Sequence, residues 1–451
     1  MDRNQPCLTG WPLLPLRQCR SRLARGCLVV GLLAVAPAAQ ATIKPGELTR
    51  QAVSLACKAT TQSAVVAMGR KLSGHLDKRH LRMSVMGWRH SFVVGDGRLT
   101  VERLAPRGGL RRVTVQYEET RALRPVLLAM ADGDCTIRTA RRIRYDRAGR
   151  PIWLEDLDRE LRVAQRRLPL NPPIPAERDP GGVPVALIDT GVNYLLPQIA
   201  RRLARDAEDQ PLGYDYWDMD TRPFDAHPVR SAFFPGRHGT QTATLLLHEA
   251  PVVKLVPYRY PRPRMQRMAE LVEDLAGHGI RLVNISLVSD DRAEWQAFSE
   301  AARRHPEILF IVAAANDGRD IDRAGAYPAT FPLDNIITVT AVGRDGRLAA
   351  DANWGARSVD VAAPAEELSV IDAVGQRRRV SGSSYAAVRV TALAACLLHA
   401  RPGLRAQELR QAIFDHADDT LSPAQLARGV LTDAVLSGPD GCRRGPLASG
   451  I

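Results

Sequence analysis

The chain has 451 residues, too many for one ordinary domain and enough for two or three. With 45% hydrophobic and 25% charged residues it can bury a sizeable core, which excludes a largely disordered protein. Its formal charge of +13 comes without interleaved aromatic residues or a nucleic-acid motif, so nucleic acid is not an expected partner.

Residues 1–41 read as an export signal. Arg17, Arg20, Arg22 and Arg25 precede a short apolar run, Cys27 to Pro37, and Ala39-Gln40-Ala41 forms a small-x-small cleavage site. Removing five basic residues and one acid would leave a charge of +9, because 13 − 5 + 1 = 9. The expected location is the periplasm or the cell exterior. Beyond the first 45 positions no apolar run reaches about 18 residues, so no membrane span is expected in the mature chain.

Residues 42–167 form a basic module. The range 42–182 holds 27 basic and 15 acidic residues, while residues 183–451 are slightly acidic. A helical pattern over 45–75 gives way to period-two runs from 81 onward, such as RLTVERL and RRVTVQY. Gly95-Asp96-Gly97 and Asp146–Gly149 supply turns between them, predicting a helix plus an antiparallel meander. Residues 168–182 then hold five prolines in fifteen, an extended, exposed linker.

From Val183 to residue 436 short apolar runs (VPVALID, VVKLVPY, IRLVNISL, LFIVAAA, NIITVTAV) alternate with helical stretches at 265–278 and 291–305. That grammar predicts an α/β fold, a parallel sheet with helices on both faces, preceded by the smaller α+β domain. Residues 437–451 are read as a tail. Four cysteines follow the signal, and none has metal-ligand spacing. A Cys57–Cys135 disulfide is expected within the module, and Cys396, in an apolar helix, reads as a buried thiol. No cofactor or metal is called for.

Four segments of the second half place reactive groups where a parallel sheet displays them, beyond the carboxyl ends of its strands. Asp189 ends the first apolar strand. His238, in Arg237-His238-Gly239-Thr240, stands where a helix begins. Asn316 follows LFIVAAA and could donate amide protons into a cleft. Ser384 opens a long apolar helix, in the positive field of its first turn. Each has a plainer reading: a helix-capping acid, a satisfied histidine, an Asn-Asp-Gly turn, an N-cap serine.

Taken together, in this order, the segments resemble the subtilase family over residues 183–436. VALIDTGV, HGTQTATLLL, LVNISL, FIVAAANDG, YPATFPLDNIITVTAV, VDVAAPA and SGSSYAA carry the likeness. The resemblance implies a subtilisin-like fold and an exported serine endopeptidase acting on polypeptides. It makes Ser384 the nucleophile, His238 the general base, Asp189 its orienting acid and Asn316 an oxyanion-hole donor. Asn284, Ser286, Leu287 and Val288, with Ala313, Ala314 and Ala315, would bind substrate, residues 284–287 as an edge strand pairing with its backbone.

The chain departs from the family at Tyr385, where Met is usual, at Val388 for Pro, and at Val288 and Ala315 for Gly. The last two would narrow the first specificity pocket. The alternative is a catalytically inactive subtilase-fold binding module in the cell envelope. An aspartic protease built on Asp189-Thr190-Gly191 lacks its second acid. The basic module stands where the family carries a pro-region. It is expected to dock on the catalytic half, either as a cleaved folding aid and inhibitor or as a permanent domain.

Overall fold

The computed structural model describes residues 44–77, 82–122, 124–228, 231–421, 425–437 and 442. The expected signal and most of the expected tail lie outside them.

The first helical stretch is two helices, not one. α1 (Pro45–Lys58) starts with Pro in its first turn, and its Glu47 and Lys58 complement the helix dipole. α2 (Gln62–Lys71) starts afresh because Thr61 caps it, its Oγ1 accepting the Ala64 N–H at 3.2 Å.

Next come β1 (His75–Leu76), β2 (Arg82–Ser84), β3 (Gly87–Val94), β4 (Gly97–Leu104), β5 (Arg112–Glu119), β6 (Arg124–Asp132), β7 (Ile137–Tyr145), β8 (Pro151–Leu157) and β9 (Ala164–Pro169). From β3 to β9 each strand pairs antiparallel with the next, β1 follows β3 at that edge, and β2 also pairs with β3. β9 extends the sheet to Pro169, two residues past the expected module boundary. Its AQRRLP shows no alternation of hydropathy, yet its arginines serve opposite faces: Arg166 reaches Asp156 at 3.0 Å and Arg167 reaches Glu155 at 3.1 Å.

One face of this sheet is covered by α1 and α2, with Leu48, Val53, Phe92, Val101 and Val115 buried between. On the other, Leu128, Ile143 and Leu154 are at most 3% exposed and share a core with Tyr194, Phe224 and Phe233 of the second half.

The second half is a parallel sheet of eight strands: β10 (Val183–Asp189), β11 (Tyr214–Asp215), β12 (Val253–Arg259), β13 (Leu282–Ile285), β14 (Leu309–Ala313), β15 (Ile336–Val342), β16 (Val361–Pro364) and β19 (Gly429–Val430). Their spatial order is β11-β12-β10-β13-β14-β15-β16-β19. A hairpin of β17 (Leu368–Ile371) and β18 (Arg377–Val380) precedes the longest helix. The helices are α3 (Pro197–Ala200), α4 (Gly239–Glu249), α5 (Met268–Gly277), α6 (Gln296–Arg304), α7 (Ile321–Ala324), α8 (Ser383–Ala400), α9 (Ala406–Phe414) and α10 (Asp433–Leu436). Among the described residues α8 alone is long and apolar enough to cross a membrane; 83% of it is buried inside the fold, so it is a core helix.

Two expectations are corrected. Within residues 284–287, Asn284 and Ile285 are not at an edge, because β13 lies between β10 and β14 and its backbone groups are taken by both; Ser286 and Leu287 lie beyond the strand. Cys396 is not a free thiol: it is disulfide-bonded to Cys442, tying α8 to the end of the chain. The second disulfide, Cys57–Cys135, joins α1 to the turn before β7.

Candidate active site

β10 is buried because Val185, Ala186, Leu187 and Ile188 are all apolar, and it delivers Asp189 into the interior with no exposure. The carboxylate accepts the Thr190 N–H at 2.7 Å and the Thr242 hydroxyl at 3.1 Å. Both of its oxygens lie 2.9 Å from His238 Nδ1. Nδ1 therefore carries the proton, and Nε2 is left as the basic nitrogen.

His238 sits at the N-cap of α4, where the chain passes close to β10. A Cβ on Gly239 would lie 2.1 Å from the Gly191 carbonyl oxygen, so only glycine permits the approach. Thr190 Oγ1 fixes the register by accepting the N–H groups of His238 (2.9 Å) and Gly239 (2.8 Å). Its own proton goes to Asp225 Oδ1 at 2.6 Å.

Asp225 is a functional candidate that sequence reasoning missed. It is wholly buried; its Oδ2 accepts the Thr240 N–H at 2.9 Å and also the Thr240 hydroxyl. Through two threonines it lashes the start of α4 to the end of β10. The sequence signal was indirect: Thr190 follows the candidate acid, Thr240 follows His238-Gly239, and buried hydroxyls need an acceptor.

These acids set the charge of the imidazole. Burial works against the His238 cation, but the charge and hydrogen bond of Asp189, with Asp225 behind, outweigh it and hold the pKa above 6.5. Burial pushes Asp225 itself up to about 6, opposed by its bonds to Thr190 and Thr240 and helped by the charge of Asp189.

Asn316 follows β14 in a turn entered through Ala315, whose φ of 76° lies in the left-handed region. Asn353 holds that turn: its Nδ2 donates to Ala314 O at 2.9 Å, and its Oδ1 accepts Asp317 N–H at 2.9 Å and Arg319 N–H at 3.1 Å. Asn316 Oδ1 accepts the Ser383 N–H at 2.8 Å, which leaves Nδ2 as the group able to donate. Gly382 permits this contact, since a Cβ there would lie 3.1 Å from Asn316 Oδ1.

Ser384, half-buried, lies in the first turn of α8, where backbone N–H groups have no helical acceptor. The next residue, Tyr385, packs its ring 5.6 Å from the imidazole and donates its hydroxyl to Gln241 Oε1 at 2.6 Å. No hydrogen bond joins Ser384 Oγ to His238 among the described residues. Ser384 O is 3.3 Å from Ser286 Oγ, which is 2.9 Å from Asn284 Oδ1; Asn284 Nδ2 donates to Thr391 Oγ1 of α8 at 3.0 Å.

Asn284 thus braces α8 from inside. Asn284, Ala313 and Ala314 are each at most 1% exposed. Leu287 and Val288 are half-buried against the core, and Ala315 is half-buried at the turn. Among the described residues no group of three or more His, Cys, Asp or Glu could hold a metal ion.

A statistical model of the subtilase family matches residues 181–433, more than half of the chain. The chain belongs to the subtilase family. A thermophilic serine proteinase of Bacillus sp. strain AK1 is 29% identical over 243 residues, 52% of this chain and 57% of that protein. A thermostable alkaline protease of Halalkalibacterium halodurans is 24% identical over 164 residues, covering 36% and 44%. The chain thus spans less than two thirds of either relative. Among solved structures, a cold-adapted subtilisin-like serine proteinase aligns with 60% of this chain and 96% of its own, at 24% identity and a TM-score of 0.47. A lanthipeptide protease aligns over 57% and 88%, at 19% identity and a TM-score of 0.48. The matched range holds the parallel sheet, α4 and α8; the basic module lies outside it.

Proposed function

We propose that this subtilase is an exported serine endopeptidase whose triad is Asp189, His238 and Ser384. The observation that carries the reading is the Asp189 carboxylate bonded to His238 Nδ1 at 2.9 Å, beside the N-terminus of the helix that bears Ser384. His238 Nε2 takes the Ser384 proton as Oγ bonds to the substrate carbonyl carbon. The same proton then passes to the leaving amine as the C–N bond breaks, and water releases the acyl group by the reverse roles. Asn316 Nδ2 and the Ser384 N–H would donate to the transient oxyanion.

Several features support the reading. The family match covers every residue invoked, and two relatives bear protease names. Export is supported by the sequence of residues 1–41, and two disulfides suit an oxidising compartment.

A fluorophosphonate probe tests the proposal, because only an activated serine reacts readily. Wild type should label on Ser384, and Ser384→Ala should lose labelling and about 10⁶-fold in peptidase turnover. Labelling that persists in Ser384→Ala would overturn the assignment. No labelling of wild type would favour an inactive binding module.

A further inference from the structure

Resting on the peptidase reading, we propose that residues 45–170 stay in the working protein as a brace on the segment that delivers His238, instead of leaving as a pro-region. Three independent sets of contacts carry this.

The first is the second face of the antiparallel sheet. A removable domain needs a surface of its own when it leaves, and this face has none. Leu128, Ile143 and Leu154, with Leu170 just beyond β9, are at most 5% exposed, in one core with Tyr194, Phe224 and Phe233. Separation would expose large apolar patches on both halves.

The second is what the sheet touches. Arg141 Nη1 donates to Phe233 O at 2.7 Å, and its guanidinium lies 4.5 Å from the Phe234 ring centroid. Asp156, on the neighbouring strand, holds the same guanidinium through Nε at 2.9 Å. Arg150, just before β8, lies 3.6 Å from the Asp220 carboxylate, to which Asn171, at the start of the connector, donates through Nδ2 at 2.7 Å. Asp220, Phe233 and Phe234 belong to the segment that carries Asp225 and runs into His238. From the other side Arg259 grips its start, at Asp215 and Asp218, each at 2.8 Å.

The third is the connector, which self-cleavage would have to bring into the cleft. Instead Tyr194 Oη donates to Pro172 O at 2.7 Å and Arg205 Nη2 to Pro175 O at 2.8 Å. Asp179 accepts the Arg205 N–H at 2.8 Å and pairs with Lys254 at 3.1 Å. The chain then enters β10 at Val183, the far end of a seven-residue strand whose last residue is Asp189, about 20 Å away.

Mass spectrometry of purified wild type and Ser384→Ala should give matching masses that include the module. A wild type shorter by the whole module, beside a full-length Ser384→Ala, overturns the proposal. A specific-protease site inserted after the exposed Glu177 allows the connector to be nicked in the folded chain. The fragment should then co-elute with the rest, with fluorophosphonate labelling unchanged. Release of the fragment with labelling equal or faster overturns it. In the intact chain, Arg141→Ala should speed amide exchange over residues 231–238 and slow labelling about tenfold, and Arg141→Lys should recover part of both. Unchanged exchange there overturns the bracing role. If the intact wild type never labels but the nicked fragment stays bound, the peptidase reading fails and the brace stands.

Discussion

Two sites of buried acids, one in each half, are built in opposite ways. In the basic module the Glu155 side chain is 2% exposed and is met by three guanidinium groups, Arg142 at 2.7 Å, Arg144 at 3.1 Å and Arg167 at 3.1 Å. Burial would raise its pKa, but the hydrogen bond and charge of Arg142, with Arg144, outweigh that and hold it below the usual carboxylate range. In the second half Asp189 and Asp225 are buried as deeply, yet hydroxyl and backbone N–H donors meet them. Charged partners cancel a buried charge and make a lattice. Neutral donors leave the charge in force, free to act on titratable groups within reach, the imidazole of His238 among them.

The largest test of this contrast is Asp189→Asn. It keeps shape but removes the charge and permits the wrong tautomer, so kcat should fall by about 10⁴ with little change in KM. A loss under tenfold would mean that orientation alone matters. Asn316→Ala comes next; on the proposed mechanism it removes a neutral dipole aimed at charge that exists only in the transition state, and kcat should drop about 10²–10³. A change confined to KM would reduce Asn316 to a turn residue.

Asp225→Asn should cost about tenfold in kcat/KM, the scale of one hydrogen bond. Its signature lies in the pH profile. In the proposed mechanism the base works as neutral imidazole, so activity should rise with pH through a His238 pKa held above 6.5. Removing the Asp225 charge lowers that pKa, and the acid limb should move to lower pH. A limb that stays put would break the comparison. Glu155→Gln should leave both limb and turnover alone while destabilising the module by about 1–3 kcal/mol, read as a lower Tm at neutral pH. Because the folded pKa of Glu155 is depressed, its contribution is present above the unfolded pKa, ordinarily 4.5, and is lost as pH falls through the folded value. Wild type and the Glu155→Gln variant should therefore converge in stability in acid.

The sequence made legible whatever depends on local pattern. Period two in RLTVERL and RRVTVQY marked β4 and β5, and the apolar runs ending at Asp189 and just before Asn316 marked β10 and β14. The order Asp, His, Asn, Ser singled out the segments that the fold gathers. What escaped depends on contacts between distant segments. β9 looks like a linker because its arginines alternate between acids on two faces, not between water and core. Asp225 has no motif of its own and acquires its place only when Thr190 and Thr240 converge. The Asn284 side chain points into α8, an orientation that the sheet order decides. Cys396 finds Cys442 only because the end of the chain returns to α8.

The strand order of the two sheets also has a consequence in time. In the meander the first pair across the β3–β4 turn, Val94 with Gly97, closes a loop of three residues. The first parallel pair of β10, Val183 with Val253, spans 253 − 183 = 70 residues. Loop-closure entropy growing as (3/2)RT ln n makes the second contact costlier to initiate by about 3 kcal/mol. Local hairpins form in microseconds, whereas pairings between remote segments are slow. A meander able to assemble early would offer its apolar face as a template while the parallel sheet is still searching for its register, so the order of synthesis, module before parallel sheet, is also the order of nucleation that the topology favours.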